Sequence, residues 1–100
     1  MSLKKGASPK TIPATLTITG QGSTDKLDVV FHNRKSSEVK SKIESGVSLA
    51  AVVPFIVESW DTDFDLTEEG VGEFEDEYPG IVAAIFDGYW KARRKEVEGN

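Results

Sequence analysis

Apolar and polar residues alternate one by one from Ala14 to Thr19, with Ala14, Leu16 and Ile18 on one side and three threonines on the other. That period of two is the mark of a β-strand with one buried face. Gly20-Gln-Gly-Ser-Thr-Asp25 supplies turn residues, and the alternation resumes from Lys26 to His32 with Leu27, Val29 and Phe31 in phase. The two runs predict a β-hairpin. A two-stranded ribbon is marginal in water, so its apolar face must be covered by helices from the rest of the chain.

Beyond His32 the period lengthens. Val39 and Ile43, spaced i to i+4, give a short helix its apolar face, with Ser36 or Ser37 as cap and Gly46 as stop. Ser48 can cap the apolar run Leu49 to Trp60, the segment expected to be most buried. Pro54 lacks an N–H for an interior helical bond, so that run either kinks or restarts with Pro54 in a first turn. Thr67-Glu-Glu69 begins another helix, since the hydroxyl accepts orphan N–H groups and the acids favour the positive dipole end; Val71, Phe74 and Tyr78 mark its inner face. Pro79 biases Tyr78 away from helix and suits a new first turn. Ile81, Val82, Ile85, Phe86, Tyr89 and Ala92 then form the apolar stripe of a last helix, with Lys91, Arg93, Arg94 and Lys95 near its C-terminal dipole end.

These elements predict an α+β fold, an N-terminal β-hairpin packed on a bundle of three to four short helices. The expected layout is a flexible arm over residues 1–13, where Gly6, Pro9 and Pro13 stand among few apolar groups, one domain over 14–96, and a C-terminal tail over 97–100. At 100 residues and 38% apolar content, one modest core is the most the chain can build.

Charge changes this picture more than composition does. The net value is −5, but residues 1–46 carry eight Lys/Arg against four Asp/Glu, and residues 47–100 carry four against thirteen. From Glu58 to Tyr78 there are ten carboxylates and no Lys or Arg, interleaved with Trp60, Phe64, Val71, Phe74 and Tyr78. Acid alone at this density reads as a solvated tail, whereas aromatics at these positions can hold a folded segment that presents a charged face. Such a face argues against a phosphate backbone as ligand, so nucleic acid is not an expected partner. With no apolar run near 18 residues there is no membrane span, and MSLKKGASPK lacks the apolar core of a signal peptide, which leaves the cytoplasm as the expected location.

Catalytic and metal chemistry find little support. Asp61-x-Asp63-x-Asp65 copies the first three ligand positions of an EF-hand loop, but Leu66 stands where Gly is needed, Glu68 where an apolar residue belongs, and Gly72 where a bidentate Glu should close the site. Asx turns and helix-start charges account for these acids, so no metal and no cofactor is expected. His32, the only histidine, sits on a strand outside any nucleophile motif, and Gly20-Gln-Gly22 opens a turn with no helix after it to cradle a phosphate. Solvated carboxylates lack the desolvation that separates an acid from a base, and no enzyme is expected.

The order of motifs carries a resemblance. A hairpin, an apolar segment ending in Trp60-Asp61, then Phe64-Asp-Leu-Thr-Glu-Glu69, an acidic helix, Glu77-Tyr-Pro-Gly80 and a terminal helix with Tyr89-Trp-Lys-Ala-Arg93 resembles the small tail assembly chaperones of long-tailed, siphovirus-like bacteriophages and prophages. The likeness covers most of residues 14–96, with Ser59 where that family often has Gly. In the family a tryptophan ends the middle helix, a Phe-Thr/Ser-Glu-Glu motif starts the next and a Tyr-Pro-Gly step precedes the last; the matching residues are Trp60, Phe64, Thr67 to Glu69, and Tyr78 to Gly80. The resemblance implies a non-enzymatic protein that binds the tape-measure protein before the tail tube polymerises, helps bring tube protein to it, and is absent from the mature virion. It also implies that this chain corresponds to the short form of a protein that is often extended by translational frameshift.

A basic, apolar helical client suits a groove rimmed by carboxylates. Trp60, Phe64 and Tyr78 are the candidate apolar contacts or supports, and Glu68, Glu69, Glu73, Asp76 and Glu77 the candidate rim; against this, Trp60 and Tyr78 can be core residues and the acids a solvated face. Self-association is open. The alternative function is an acidic inhibitor that mimics nucleic acid and blocks a DNA- or RNA-binding enzyme. The two basic ends of the chain count against that alternative.

Overall fold

The computed structural model describes residues 3–97; the start of the expected arm and the expected tail beyond Val97 lie outside the described residues. The elements run β1 (Thr11–Gly20), β2 (Ser23–His32), α1 (Ser36–Glu44), α2 (Leu49–Ile56), β3 (Val57–Trp60), α3 (Glu68–Glu77) and α4 (Ile81–Arg93). This is the α+β fold that the alternation and the helical stripes imply.

The hairpin turns through Gln21 and Gly22, both in the left-handed region at φ 51° and 81°. Positive φ at both central residues matches the twist of the flanking strands, which sets a two-residue turn and the register from Gly20↔Ser23 to Thr11↔His32. β1 thus starts three residues before the alternation does. Thr11, Ile12 and Pro13 pair with His32, Phe31 and Val30, and the Asn33 amide donates to Ser8 Oγ (2.8 Å) and to the Pro9 carbonyl (2.7 Å). Residues 8–13, expected in a flexible arm, are tied to the sheet. Proline is tolerated there because β1 is an edge strand.

The apolar run Leu49–Trp60 divides into a helix and a strand. Ser48 caps it, its Oγ accepting the Ala51 N–H at 3.1 Å, and the helix continues through Pro54 to Ile56. It does not restart at the proline; it gives way to strand β3, so Trp60 ends a strand and not a helix. Pro54 deprives the last turn of a donor, and the β-branched residues around it are equally at home in a strand. β3 pairs antiparallel with β2 (Val29↔Trp60, Val30↔Ser59, Phe31↔Val57) with an irregularity at Val30/Phe31. The result is a three-stranded sheet in the order β1-β2-β3.

One face of the sheet, with Leu27, Val29 and Phe31, meets the helices through a core that includes Val39, Val52, Val53, Ile56, Val71, Ile85 and Tyr89. Of the last stripe, Ile81, Ile85 and Tyr89 are buried, while Val82, Phe86 and Ala92 are half-buried at its flank. α1 packs chiefly against α2 and only Val39 reaches the core; Ile43, one turn further along, stays exposed. The residue before α1 is Lys35, whose N–H donates to Glu38 Oε1 at 3.0 Å, which leaves Ser36 in the first turn instead of at the cap.

Tyr89 ties the last helix to the sheet. Its ring meets Phe31 edge to face at 5.1 Å, and its hydroxyl donates to the His32 carbonyl (3.0 Å) and accepts the Arg34 N–H (3.4 Å). Burial pushes its phenol pKa up. Arg93 donates to Asn33 Oδ1 (2.9 Å) and the Arg34 carbonyl (2.7 Å), so a cation that suits the helix dipole also locks the β2–α1 link.

Candidate functional site

The acidic segment folds as a strand end, a loop and a helix, each step fixed by a local bond. Asp61 prolongs the β2–β3 ladder: its N–H donates to the Asp28 carbonyl (3.1 Å) and its carboxylate accepts the Asp28 N–H (2.9 Å). The Trp60 indole N–H donates to the Phe64 carbonyl at 2.9 Å and closes the loop. Thr67 Oγ1 accepts the Gly70 N–H at 3.0 Å, which starts α3 where the Thr-Glu-Glu motif predicts. At Gly70 the helix runs hard against the loop: a Cβ there would sit 2.8 Å from the Asp65 carbonyl carbon and closer still to its oxygen. Only glycine allows that approach.

Aromatic rings lock the same joint. Phe64 stacks on Phe74 with centroids 4.5 Å apart and planes 10° from parallel, and Trp60 meets Phe74 edge to face at 5.4 Å. Tyr78 stands edge-on to Phe74 (5.8 Å) and Phe64 (6.4 Å). The chain breaks at Tyr78-Pro-Gly80 as expected, but Pro79 precedes α4 instead of entering its first turn. Gly80, at φ 100°, takes the N-cap position and has no side chain to cap with. Glu75 fills that role from the preceding helix, accepting the N–H groups of Gly80 (2.8 Å) and Val82 (3.0 Å). These two bonds hold its carboxyl below the usual carboxylate range.

Between the turn end of the hairpin and α3 lies a cleft of about 690 Å³. Its floor is apolar, made by Ile18, Leu27, Phe64, Phe74 and Ile81, and its walls carry six carboxylates, Asp25, Asp61, Asp63, Asp65, Glu73 and Glu77, against the one cation Lys26. Tyr78 stands at the lip, 38% exposed. Carboxylates gathered around a concavity add their fields inside it, so the cleft favours a cationic, partly apolar guest.

Of the residues singled out in the sequence, Phe64, Glu73, Glu77 and Tyr78 converge on this cleft. Glu73 and Glu77 are one turn apart on the flank of α3 that also bears Gly70. Glu69 and Asp76 are exposed on the outer side of the same helix. Glu68 turns to α2, where it accepts a bond from Ser48 Oγ at 2.6 Å. Trp60 lies behind the cleft as a support. Asp25 is the residue that sequence reasoning missed, because nothing local signals that the hairpin turn will face α3; Asp61, Asp63 and Asp65 drew notice through their spacing, but as ligands of a metal and not as a rim. Among the described residues no group of three or more His, Cys, Asp or Glu is arranged to hold a metal ion, and no helix is long and apolar enough to cross a membrane.

No curated protein and no solved structure matches the chain. A family model does, and its match runs over residues 8–100, taking in the tied lead-in strand, the hairpin, the cleft and the last helix. The chain belongs to the phage tail assembly chaperone family.

Proposed function

We propose that the cleft receives a basic, amphipathic segment of the tape-measure protein, and that the chain holds this client and helps bring tail tube protein to it without catalysing a reaction. The observation that carries the reading is the pairing of six carboxylates and one cation with an apolar floor. Carboxylates at the rim accelerate encounter with a cationic helix while adding little to lifetime, and the aromatic floor gives that helix a place for its apolar face. Weak, fast binding suits a client that must later be surrendered to a polymerising tube. On this reading the protein acts in the bacterial cytoplasm and leaves before the virion is complete.

Residue roles divide accordingly. Phe64 and Tyr78 touch the client, Glu73 and Glu77 attract it, Trp60 supports the loop, and Glu68, Glu69 and Asp76 contribute only to the general negative field. The carboxylates converge on a hollow instead of lining a ridge, which suits a guest helix better than the mimicry of a nucleic acid. The test is titration of the chain with tape-measure fragments at rising salt. Combined Glu73→Gln and Glu77→Gln should weaken binding about tenfold or more and flatten its salt dependence, as loss of about 1.4 kcal/mol does, whereas Glu69→Gln with Asp76→Asn should change it little. Equal effects from the two pairs would place the client elsewhere.

A further inference from the structure

We propose that the end of the sheet opposite the acidic cleft is a second docking surface, a basic pole that receives a short acidic segment of a partner protein. β2 carries Asp25 of the cleft near its start and ends at His32, about 24 Å further on at the rise of an antiparallel strand. The pole lies just past that end and does not depend on what the cleft binds.

A chain of contacts gathers the cations there. The Lys10 carbonyl accepts the Asn33 N–H at 2.9 Å. Asn33 in turn accepts Arg93, whose guanidinium also reaches the Arg34 carbonyl and Ser36 Oγ. Arg34 Nε donates to the Phe55 carbonyl at 2.8 Å. Its guanidinium lies over the Phe55 ring, 4.1 Å from the centroid, and Lys42 Nζ stands 5.4 Å from the same ring. Lys35 links Arg34 to the start of α1. Every acceptor that holds Arg34 and Arg93 is a carbonyl, an amide or a hydroxyl, so the guanidiniums are fixed in place without losing their charge. Among the described residues the ion pairs are Asp87–Lys91 and Arg94–Glu96, and neither involves Lys10, Arg34, Lys35, Lys42 or Arg93. Glu38, the acid inside the cluster, is turned to the Lys35 N–H. Half-buried cations held rigidly with no counter-charge are preorganised for an anion from outside.

The surroundings select carboxylates on a protein. A hollow of about 520 Å³ between α1 and Phe55 adds the hydroxyls of Ser37, Ser41 and Ser45 to Lys42, donors that suit carboxylate oxygens. Trp90, 40% exposed, stands one turn before Arg93 and Arg94 on α4, and tryptophan beside arginine is the pairing that anchors protein interfaces. The acidic segment therefore carries an apolar residue as well as its acids. A nucleic acid is a poorer fit, since its evenly spaced phosphates would extend into the field of a chain of net charge −5. A short acidic segment ends where the pole does.

Fluorescence anisotropy of a labelled, end-blocked peptide of Glu, Asp, Leu and Phe, titrated with the full chain from about 20 to about 200 mM salt, tests the proposal. The peptide should bind, and more weakly as salt rises. Lys35→Gln combined with Lys42→Gln should raise Kd at least tenfold. The hydrogen bonds that fix the pole run through Arg34 and Arg93, so this double variant should keep the melting temperature of the wild type. Trp90→Ala should raise Kd and leave the salt dependence as it is, the mark of an apolar anchor. Glu73→Gln with Glu77→Gln, in the cleft, should not weaken the peptide, and an oligothymidylate of the same charge should bind less tightly than the peptide does. No peptide binding at the lowest salt, an unchanged Kd in the lysine or the tryptophan variant, peptide binding lost with the cleft acids, or tighter binding of the oligothymidylate would each overturn it.

Discussion

Two glycines two residues apart on α3 oppose helix propensity to tertiary geometry. Alanine is better than glycine in a helix interior by about 1 kcal/mol, and by that measure Gly70→Ala and Gly72→Ala should both stabilise. At Gly72 a Cβ meets nothing within 4 Å, so the gain should appear, about 0.5–1 kcal/mol. At Gly70 the Cβ would stand 2.8 Å from the Asp65 carbonyl carbon, 2.9 Å from the Asp65 Cβ, and nearer to the carbonyl oxygen. Backbone cannot swing aside as a flexible side chain does. Either α3 or the loop must move, and overpacking of this kind costs about 1–3 kcal/mol. Set against the propensity gain, the net loss reaches about 2 kcal/mol at the upper end of that range, where a clash with backbone belongs, a fall in Tm of roughly 8–16 °C for a domain of this size. Thermal and urea unfolding of both variants would read these shifts. Because the loop carries Asp61, Asp63, Phe64 and Asp65, Gly70→Ala should also weaken client binding, and Gly72→Ala should not. A rise in Tm for both variants would refute the close approach of helix and loop on which the cleft depends.

Glu75→Gln should cost about 0.5 kcal/mol at neutral pH, the low end for a screened carboxylate at a helix start. Because the folded pKa lies below the ordinary 4.5, this contribution is full above that value and disappears as pH falls through the folded pKa; urea melts from pH 7 downward should show a gap that holds to the ordinary value and narrows in acid below it. Tyr89→Phe should cost about 0.5–1.5 kcal/mol in the same melts, the net worth of one hydrogen bond, since the His32 carbonyl loses the hydroxyl but keeps the Arg34 N–H at 2.9 Å; an unchanged midpoint would mean that the hydroxyl does not hold α4 to the sheet. Ser48→Ala should lower stability by about 1 kcal/mol, as loss of an N-cap does, and a neutral result would show that the Ser48 carbonyl, which also accepts the Ala51 N–H at 3.0 Å, suffices alone.

The parts of the fold that were legible in the sequence are those set by neighbours in the chain. Alternation at Ala14–Thr19 and Lys26–His32 specifies strands because only a period of two puts all the apolar residues on one side, and Thr67-Glu-Glu69 marks a helix start because its hydroxyl and charges act within one turn. Leu49–Trp60 was not legible in full. Its residues suit a buried helix and a buried strand about equally, and the vacant side of β2, a partner about 30 residues away in the chain, decided where helix ended and strand began.

The same division runs through the candidate site. Sequence by itself determined that Glu58–Tyr78 would be acidic, aromatic and folded, and the motif order through Tyr78-Pro-Gly80 was enough to carry the resemblance to the family. Tertiary structure alone decided which acids work together, because carboxylates at fixed helical spacing still point to different neighbours once the helix is docked. It turned Glu68 to Ser48, gave Glu75 to the start of α4, left Glu69 and Asp76 in solvent, and gathered Glu73 and Glu77 with Asp25 from the turn end of β2, which no local pattern could place opposite them.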